Sequence, residues 1–477
     1  MWCRRTAALA ALLSVACVAA CSDDDSPAKE SPSTAADGGN DAASDAGSDA
    51  ASGEPGVRTI DNVPAIGLEK ALPIVFVHGY AGSAQQILSQ AMRYEANGYP
   101  VGRIRAYEHN GGQSGEDFVG GLNTFVDGVL EEFDVPQVYL IGHSRGTSVS
   151  AMFLGDAERA AKIAKYISLD GFGCSAANTA NVPCIEPNQM SLPGQSHVEV
   201  ATSVESFERQ YEFLLDEKPK VTKIVKQKEP VVISGRAVNF PENTGRAGTT
   251  LDIYEIDAET GARVSDDALA TFSISEDGNW GPVTVNPDKH YELVLKNEEG
   301  NYHHHYMQPF LRSTPFVRLL SGPPDSPSRV NTNTGADHSA AIAMRMREWQ
   351  TSDKLEVSTK TPDKSQDAVN VITEGVGVDP TGSSDIGSLI RGRIGLHLHD
   401  DKETPGESTL TQLPWFSTQP FQTGVDVYMP AADPPNGTLT FKSIPRGDEE
   451  HPQILTTPNW SSSGHLISLF FSDFAQD

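Results

Sequence analysis

The chain has 477 residues, 38% of them apolar, and a formal net charge of −28, a length that suggests two or three domains rather than one core. That balance leaves no basic surface able to displace counterions from phosphates, which excludes nucleic acid as a partner. Nine acidic residues and one lysine between Ser22 and Gly56 supply about a third of the excess, and the remaining acidity suits solubility.

Arg4 and Arg5 followed by the apolar stretch Thr6 to Ala20 read as an export signal, too short to stay in a bilayer as a spanning helix. The stretch ends in Val18-Ala19-Ala20-Cys21, which resembles a bacterial lipobox. The resemblance implies that residues 1–21 are a lipoprotein signal and that Cys21 is diacylated as the mature N-terminus, anchoring the protein to a membrane. Ser22 after it points to the outer membrane or cell surface. An ordinary cleaved signal with an incidental cysteine is the alternative. Residues 22–57 are Ser-, Ala-, Asp- and Gly-rich and predict a disordered acidic tether. Outside this leader only Cys174 and Cys184 remain, and in an exported protein they predict a disulfide over two free thiols or a metal pair.

Residues 58–219 alternate strand and helix. LPIVFV (Leu72 to Val77) reads as a buried strand, followed by a helix near Ala84 to Asn97 and a strand from Tyr99 to Tyr107. Phe118, Leu122, Phe125, Val126, Val129, Leu130 and Phe133 recur at spacings of three and four, one apolar stripe of a helix. QVYLI (Gln137 to Ile141) and KYISL (Lys165 to Leu169) are further buried strands. Such units imply a parallel sheet with helices on its faces. Beyond Pro219 the pattern becomes apolar–polar alternation broken by turns. Residues 220–310 read as an antiparallel β-sandwich resembling prealbumin-like modules. Residues 311–477 read as a β-rich C-terminal region, separate or part of one larger β unit.

Gly142-His143-Ser144-Arg145-Gly146 follows the strand QVYLI and precedes a stretch able to form a helix. This G-x-S-x-G string on a strand–turn–helix is a nucleophile elbow, with Ser144 pushed out of the sheet edge. The oxyanion formed in acyl transfer needs two donors, one expected from the backbone N–H of Arg145. His78-Gly79-Tyr80 follows the first strand, and here the chain resembles bacterial lipases of the α/β-hydrolase superfamily. That resemblance implies the second donor from the Tyr80 N–H and a loop-shaping role for His78. It also implies the chain order nucleophile, acid, histidine. Asp170, at the end of KYISL, is the expected acid, a placement resembling pancreatic-type lipases. His197, the only histidine between Asp170 and Leu215, is the expected base. The segment Gly171 to Ser196 is expected to be a small lid or pocket wall stapled by Cys174–Cys184. The triplet His303–His305 is expected on a strand or loop surface, and His397 and His399 on a solvated strand face. Trp280, Trp415 and Trp460 are candidates for binding apolar or polymeric ligands.

The whole order resembles two-part microbial lipases, in which a β region helps bind lipid or shield the site. The expected protein is an exported, lipid-anchored serine carboxylic-ester hydrolase acting on an ester or lipid through an acyl-enzyme, with no metal or organic cofactor. The alternative is a surface-displayed lipid- or polymer-binding protein with a vestigial hydrolase domain. Acyl preference and oligomeric state are not written in any motif.

Overall fold

Short apolar runs bounded by turns form the first sheet: Ile74–Val77 (β1), Ile104–Tyr107 (β2), Val138–His143 (β3), Ile163–Leu169 (β4) and Cys184–Ile185 (β5). The computed structural model describes residues 71–112, 115–373, 390–446 and 448–475, so the signal, Cys21 and the tether lie outside the described residues. The strands lie in the order β2-β1-β3-β4-β5 and all pair in parallel. β1 is buried along its whole length, as a parallel strand covered on both faces must be.

Leu88–Ala96 (α1), Phe118–Phe133 (α2) and Arg145–Leu154 (α3) pack on this sheet. The stripe of α2 buries Leu122, Val126 and Val129. Asp117 caps its start by accepting from the Gly120 N–H at 2.8 Å, and Asp134 ends it in the left-handed region at φ 48°. The strand expected from Tyr99 is shorter, because Val101–Arg103 takes a 3₁₀ turn after Pro100. After His197 the chain forms two helices, Glu199–Thr202 and Val204–Leu215. Ser203 separates them and caps the second by accepting from the Ser206 N–H at 3.2 Å.

The rest of the chain is strand-rich, and the boundary expected between residues 310 and 311 does not divide it. One eight-stranded sheet takes four strands from before that point and four from after it. At its middle Tyr302–Met307 pairs with His465–Phe470, in parallel rather than antiparallel. Likewise Thr314–Ser321 pairs in parallel with Val231–Asn239 in a second sheet. Local alternation cannot reveal such pairings, since the partners lie far apart in the chain.

Two further expectations fail for one reason. His303, His304 and His305 are 8%, 1% and 2% exposed, because their strand is interior to the eight-stranded sheet with both faces covered. His397 and His399 are buried as well, against Phe416. Trp280 joins the core between the two sheets, whereas Trp415 lines a cavity.

The strand-rich part clasps the first sheet. α1 is buried on nearly all sides although it carries Gln90, Arg93 and Glu95. Arg93 donates to the Thr202 and Thr222 carbonyls at 2.7 and 3.1 Å, and Glu95 pairs with Arg312 at 2.9 Å. Glu108, following β2, pairs with Arg318 at 2.9 Å and Arg236 at 2.7 Å. Burial would raise the Glu108 pKa, but these two arginines hold it down at about 2.

Candidate active site

At the C-terminal end of β3 the chain turns sharply into α3, and Ser144 takes φ 52° and ψ −121° at that turn. A non-glycine residue there is strained and persists only where its surroundings fix it. The Ser144 N–H donates to the Leu169 carbonyl at 3.0 Å, and the Ser144 carbonyl accepts from the Thr147 N–H at 3.0 Å. Gly146 is required by space, since a Cβ there would stand 2.1 Å from the Val77 carbonyl oxygen. Gly79 answers the same constraint from the facing loop, where a Cβ would stand 2.9 Å from the Ser144 Cβ.

Asp170 follows β4 and is also left-handed, at φ 42°. Its Oδ2 accepts from His197 Nδ1 at 2.6 Å and from Gln189 Nε2 at 2.7 Å, and its Oδ1 accepts from the Gln189 N–H at 3.1 Å. Burial pushes this carboxyl up, yet the bonds from His197 and Gln189 hold it below its ordinary value. It therefore stays ionised, and its bond leaves Nε2 of His197 as the nitrogen open to exchange a proton. Ser144 and His197 line one cavity, and no hydrogen bond joins them among the described residues. Such bonds are often long before substrate arrives.

The loop after β1 packs on Ser144. Tyr80 is 42% exposed, lines the cavity and lays its ring 5.3 Å from the Arg145 guanidinium. Arg145 opens α3, and its side chain donates to the Asn110 carbonyl at 2.5 Å. His78 is fully buried. Its Nδ1 donates to the Gly79 carbonyl at 2.9 Å and its Nε2 accepts from the His109 N–H at 3.2 Å. Burial and the neighbouring His109 lower its pKa to about 3, so it shapes the loop as a neutral ring.

Two residues to which the sequence alone assigns no role hold His197 in place. His143, inside the G-x-S-x-G string, accepts from Gln86 Nε2 at 2.9 Å, which leaves its Nε2–H to donate to the His197 carbonyl at 3.0 Å. Burial and His197 lower its pKa to about 3, so this neutral tautomer persists. Glu348 arrives from the strand Ala341–Trp349 and is 2% exposed. Its Oε1 accepts from the Val198 N–H at 2.7 Å. Its Oε2 accepts from Ser196 Oγ at 2.5 Å and from the Glu199 N–H at 3.2 Å. One buried carboxylate thus brackets His197 on both sides, and no motif in the sequence marks it.

The cavity has a volume of about 740 Å³, the size of a site for a small organic ligand. Its walls correct one expectation. No residue between Gly171 and Ser196 lines it; its apolar lining includes Phe240, Pro241, Met344, Met346, Trp415 and Phe421 of the strand-rich part. Cys174 and Cys184 are bridged, with Cα atoms 5.8 Å apart, and tie the short helix Ser175–Thr179 to edge strand β5 instead of forming a pocket wall.

A five-stranded parallel sheet, helices on its faces, a strained serine at a strand–helix turn and a β-rich C-terminal part define an α/β-hydrolase fold with an appended β-rich region. The sequence agrees: residues 229–324 match the family model of the lipase C-terminal domain. A second model, also of a C-terminal domain, matches residues 328–475. No curated protein matches the chain. Among solved structures, an extracellular α/β-hydrolase from a Paenibacillus species is 20% identical over 21% of this chain and 41% of its own, with a TM-score of 0.18. A gene product of Listeria innocua is 13% identical over 32% of this chain and 97% of its own, at 0.25. Epoxide hydrolase A from Mycobacterium thermoresistibile is 20% identical over 20% of this chain and 32% of its own, at 0.17. The chain thus spans about two fifths of the Paenibacillus protein.

Proposed function

We propose that the protein is a serine carboxylic-ester hydrolase of the lipase and esterase type. The observation that carries this is the strained Ser144 sharing one cavity with a His197 whose far nitrogen is bonded to Asp170 at 2.6 Å. In this reading His197 Nε2 takes the Ser144 proton as Oγ attacks the ester carbonyl, and the Tyr80 and Arg145 N–H groups receive the oxyanion. Collapse breaks the ester bond, and the alcohol leaves with the proton held by His197. Water, deprotonated by the same ring, then attacks the acyl-Ser144 ester and releases the acid. Asp170 holds the ring in the required tautomer and stabilises its cation.

We further infer export and anchoring by an acylated Cys21. The lipobox-like run before Cys21 and the Cys174–Cys184 bridge, a bond suited to an oxidising compartment, support this. Cys21→Ala should move the protein from the membrane fraction to the soluble fraction.

The catalytic test assays the purified chain on p-nitrophenyl esters from acetate to palmitate, with Ser144→Ala alongside. Turnover that vanishes in the variant while its circular dichroism is unchanged supports the reading. A folded wild type that cleaves none of these esters removes it.

A further inference from the structure

The cavity continues into the strand-rich part, where His303, Ser321, Ser468 and Arg329 line it. Arg329 stands on the short helix Pro327–Thr332 and is 8% exposed. A guanidinium carries five N–H donors. Here one hydrogen bond is made among the described residues, from Nη1 to the His465 carbonyl at 3.4 Å, and no ion pair. The other buried arginines are better satisfied. Arg312, Arg318 and Arg345 each hold a carboxylate within 2.9 Å. Arg93 donates to Gln90 and to two carbonyls. Burial lowers the Arg329 pKa to about 10, which leaves it charged at neutral pH. A buried cation without a counter-ion is costly to the fold.

Its surroundings suit an anion. His303 is held neutral by burial and by the nearby His305 and Arg329. Its ring nitrogens bond Ser321 Oγ at 3.0 Å and Ser468 Oγ at 2.8 Å. A neutral imidazole donates once and accepts once, so one of the two hydroxyls accepts from the ring and keeps its own hydrogen for another acceptor. Arg246 shares a small adjoining cavity with Arg329, His303 and Ser321. Its Nε is buried with no partner among the described residues. Asp325, which acts on Arg246 electrostatically, and Glu242 also line the main cavity, but neither forms an ion pair with these arginines among the described residues.

We propose that Arg329, backed by Arg246 and the Ser321 and Ser468 hydroxyls, is an anion subsite of the active-site cavity, and that the ester cleaved at Ser144 carries a carboxylate or phosphate group bound there. This rests on the ester-hydrolase reading above. The planar guanidinium fork can take two oxygens of either group at once, while the apolar walls hold the chain that joins the anion to the ester.

The test compares kcat/KM for mono-p-nitrophenyl glutarate and for an ω-phosphorylated p-nitrophenyl ester against neutral p-nitrophenyl pentanoate. Wild type, Arg329→Gln and Arg329→Lys are run as full chains. The charged-to-neutral ratio does not depend on the folded fraction of each preparation. It is expected to exceed one in the wild type for at least one charged ester, to fall by at least about tenfold in Arg329→Gln, and to recover in part in Arg329→Lys. The preferred charged ester tells carboxylate from phosphate. A ratio that Arg329→Gln leaves unchanged overturns the proposal. If wild type cleaves no ester, the hydrolase reading has failed and calorimetry with glutarate and with inorganic phosphate decides the subsite. Binding of either that is lost in Arg329→Gln sustains it, and no binding of either ends it.

Discussion

Replacing Glu348 tests whether the C-terminal domain sets the position of His197, the base in the proposed reaction. The carboxylate accepts three hydrogen bonds within two residues of His197, at 2.5, 2.7 and 3.2 Å. In Glu348→Ala the Val198 and Glu199 N–H groups lose their acceptor, while the Ser196 hydroxyl keeps Glu199 Oε2 at 3.2 Å. Each unsatisfied buried donor costs roughly 1–3 kcal/mol, so a penalty of about 3 kcal/mol is expected unless the loop moves to meet water. Loop movement carries His197 with it, and a shift of about 1 Å at a reacting group costs on the order of 100-fold in rate. Glu348→Gln keeps one accepting oxygen but turns an NH₂ toward N–H donors, so it should fall between wild type and alanine. Steady-state kinetics on a short p-nitrophenyl ester, with the melting temperature of each variant, reads both effects. The expected result is a fall in kcat with KM little changed, since Glu348 touches no part of the cavity. A folded Glu348→Ala protein with wild-type kcat would refute the reasoning, because the loop would then keep His197 in place without its clamp.

Three other outcomes are expected. Asp170→Asn should retain the fold yet lower kcat by about 10³–10⁴-fold, because the amide no longer selects the productive tautomer of His197; single-turnover kinetics reads the loss. Glu108 has a depressed pKa, so its contribution to stability is complete above its unfolded value near 4.5 and is lost as pH falls toward about 2. Over that window the wild type should lose roughly 3 kcal/mol more than Glu108→Gln in denaturant titrations, and the two stabilities should converge at the acid end. Removing the Cys174–Cys184 bridge by paired serine substitutions should cost roughly 2–3 kcal/mol by release of a ten-residue loop. It should leave kcat/KM nearly unchanged, since the bridged segment does not line the cavity; a large loss of activity in a folded variant would return that segment to the role of lid.

Local features were legible in the chain before any fold was known. The strand QVYLI, the glycines around Ser144 and the apolar stripe of α2 each follow from neighbours within a few residues. Strand propensity, turn space and helical period act over that range. The parallel sheet was legible in the same way, because short right-handed crossovers leave few topologies open, whereas the pairing of Asp170 with His197, 2.6 Å apart, was expected from the resemblance to α/β-hydrolase lipases and not from local pattern. Whatever depends on distant segments meeting was settled by the tertiary fold alone. Histidines 303–305 have the sequence of a surface strand, and the pairing of His465–Phe470 beside them buries them. Gln90, Arg93 and Glu95 give α1 the composition of a solvated helix, yet the strand-rich part covers it. Glu348 gains its role by folding back onto the Val198 N–H, 150 residues away in the chain. For the same reason the cavity wall belongs to the C-terminal domain and not to the segment after Asp170. Burial and partnership are properties of pairs of segments, and a single chain read in order shows each segment without its partner.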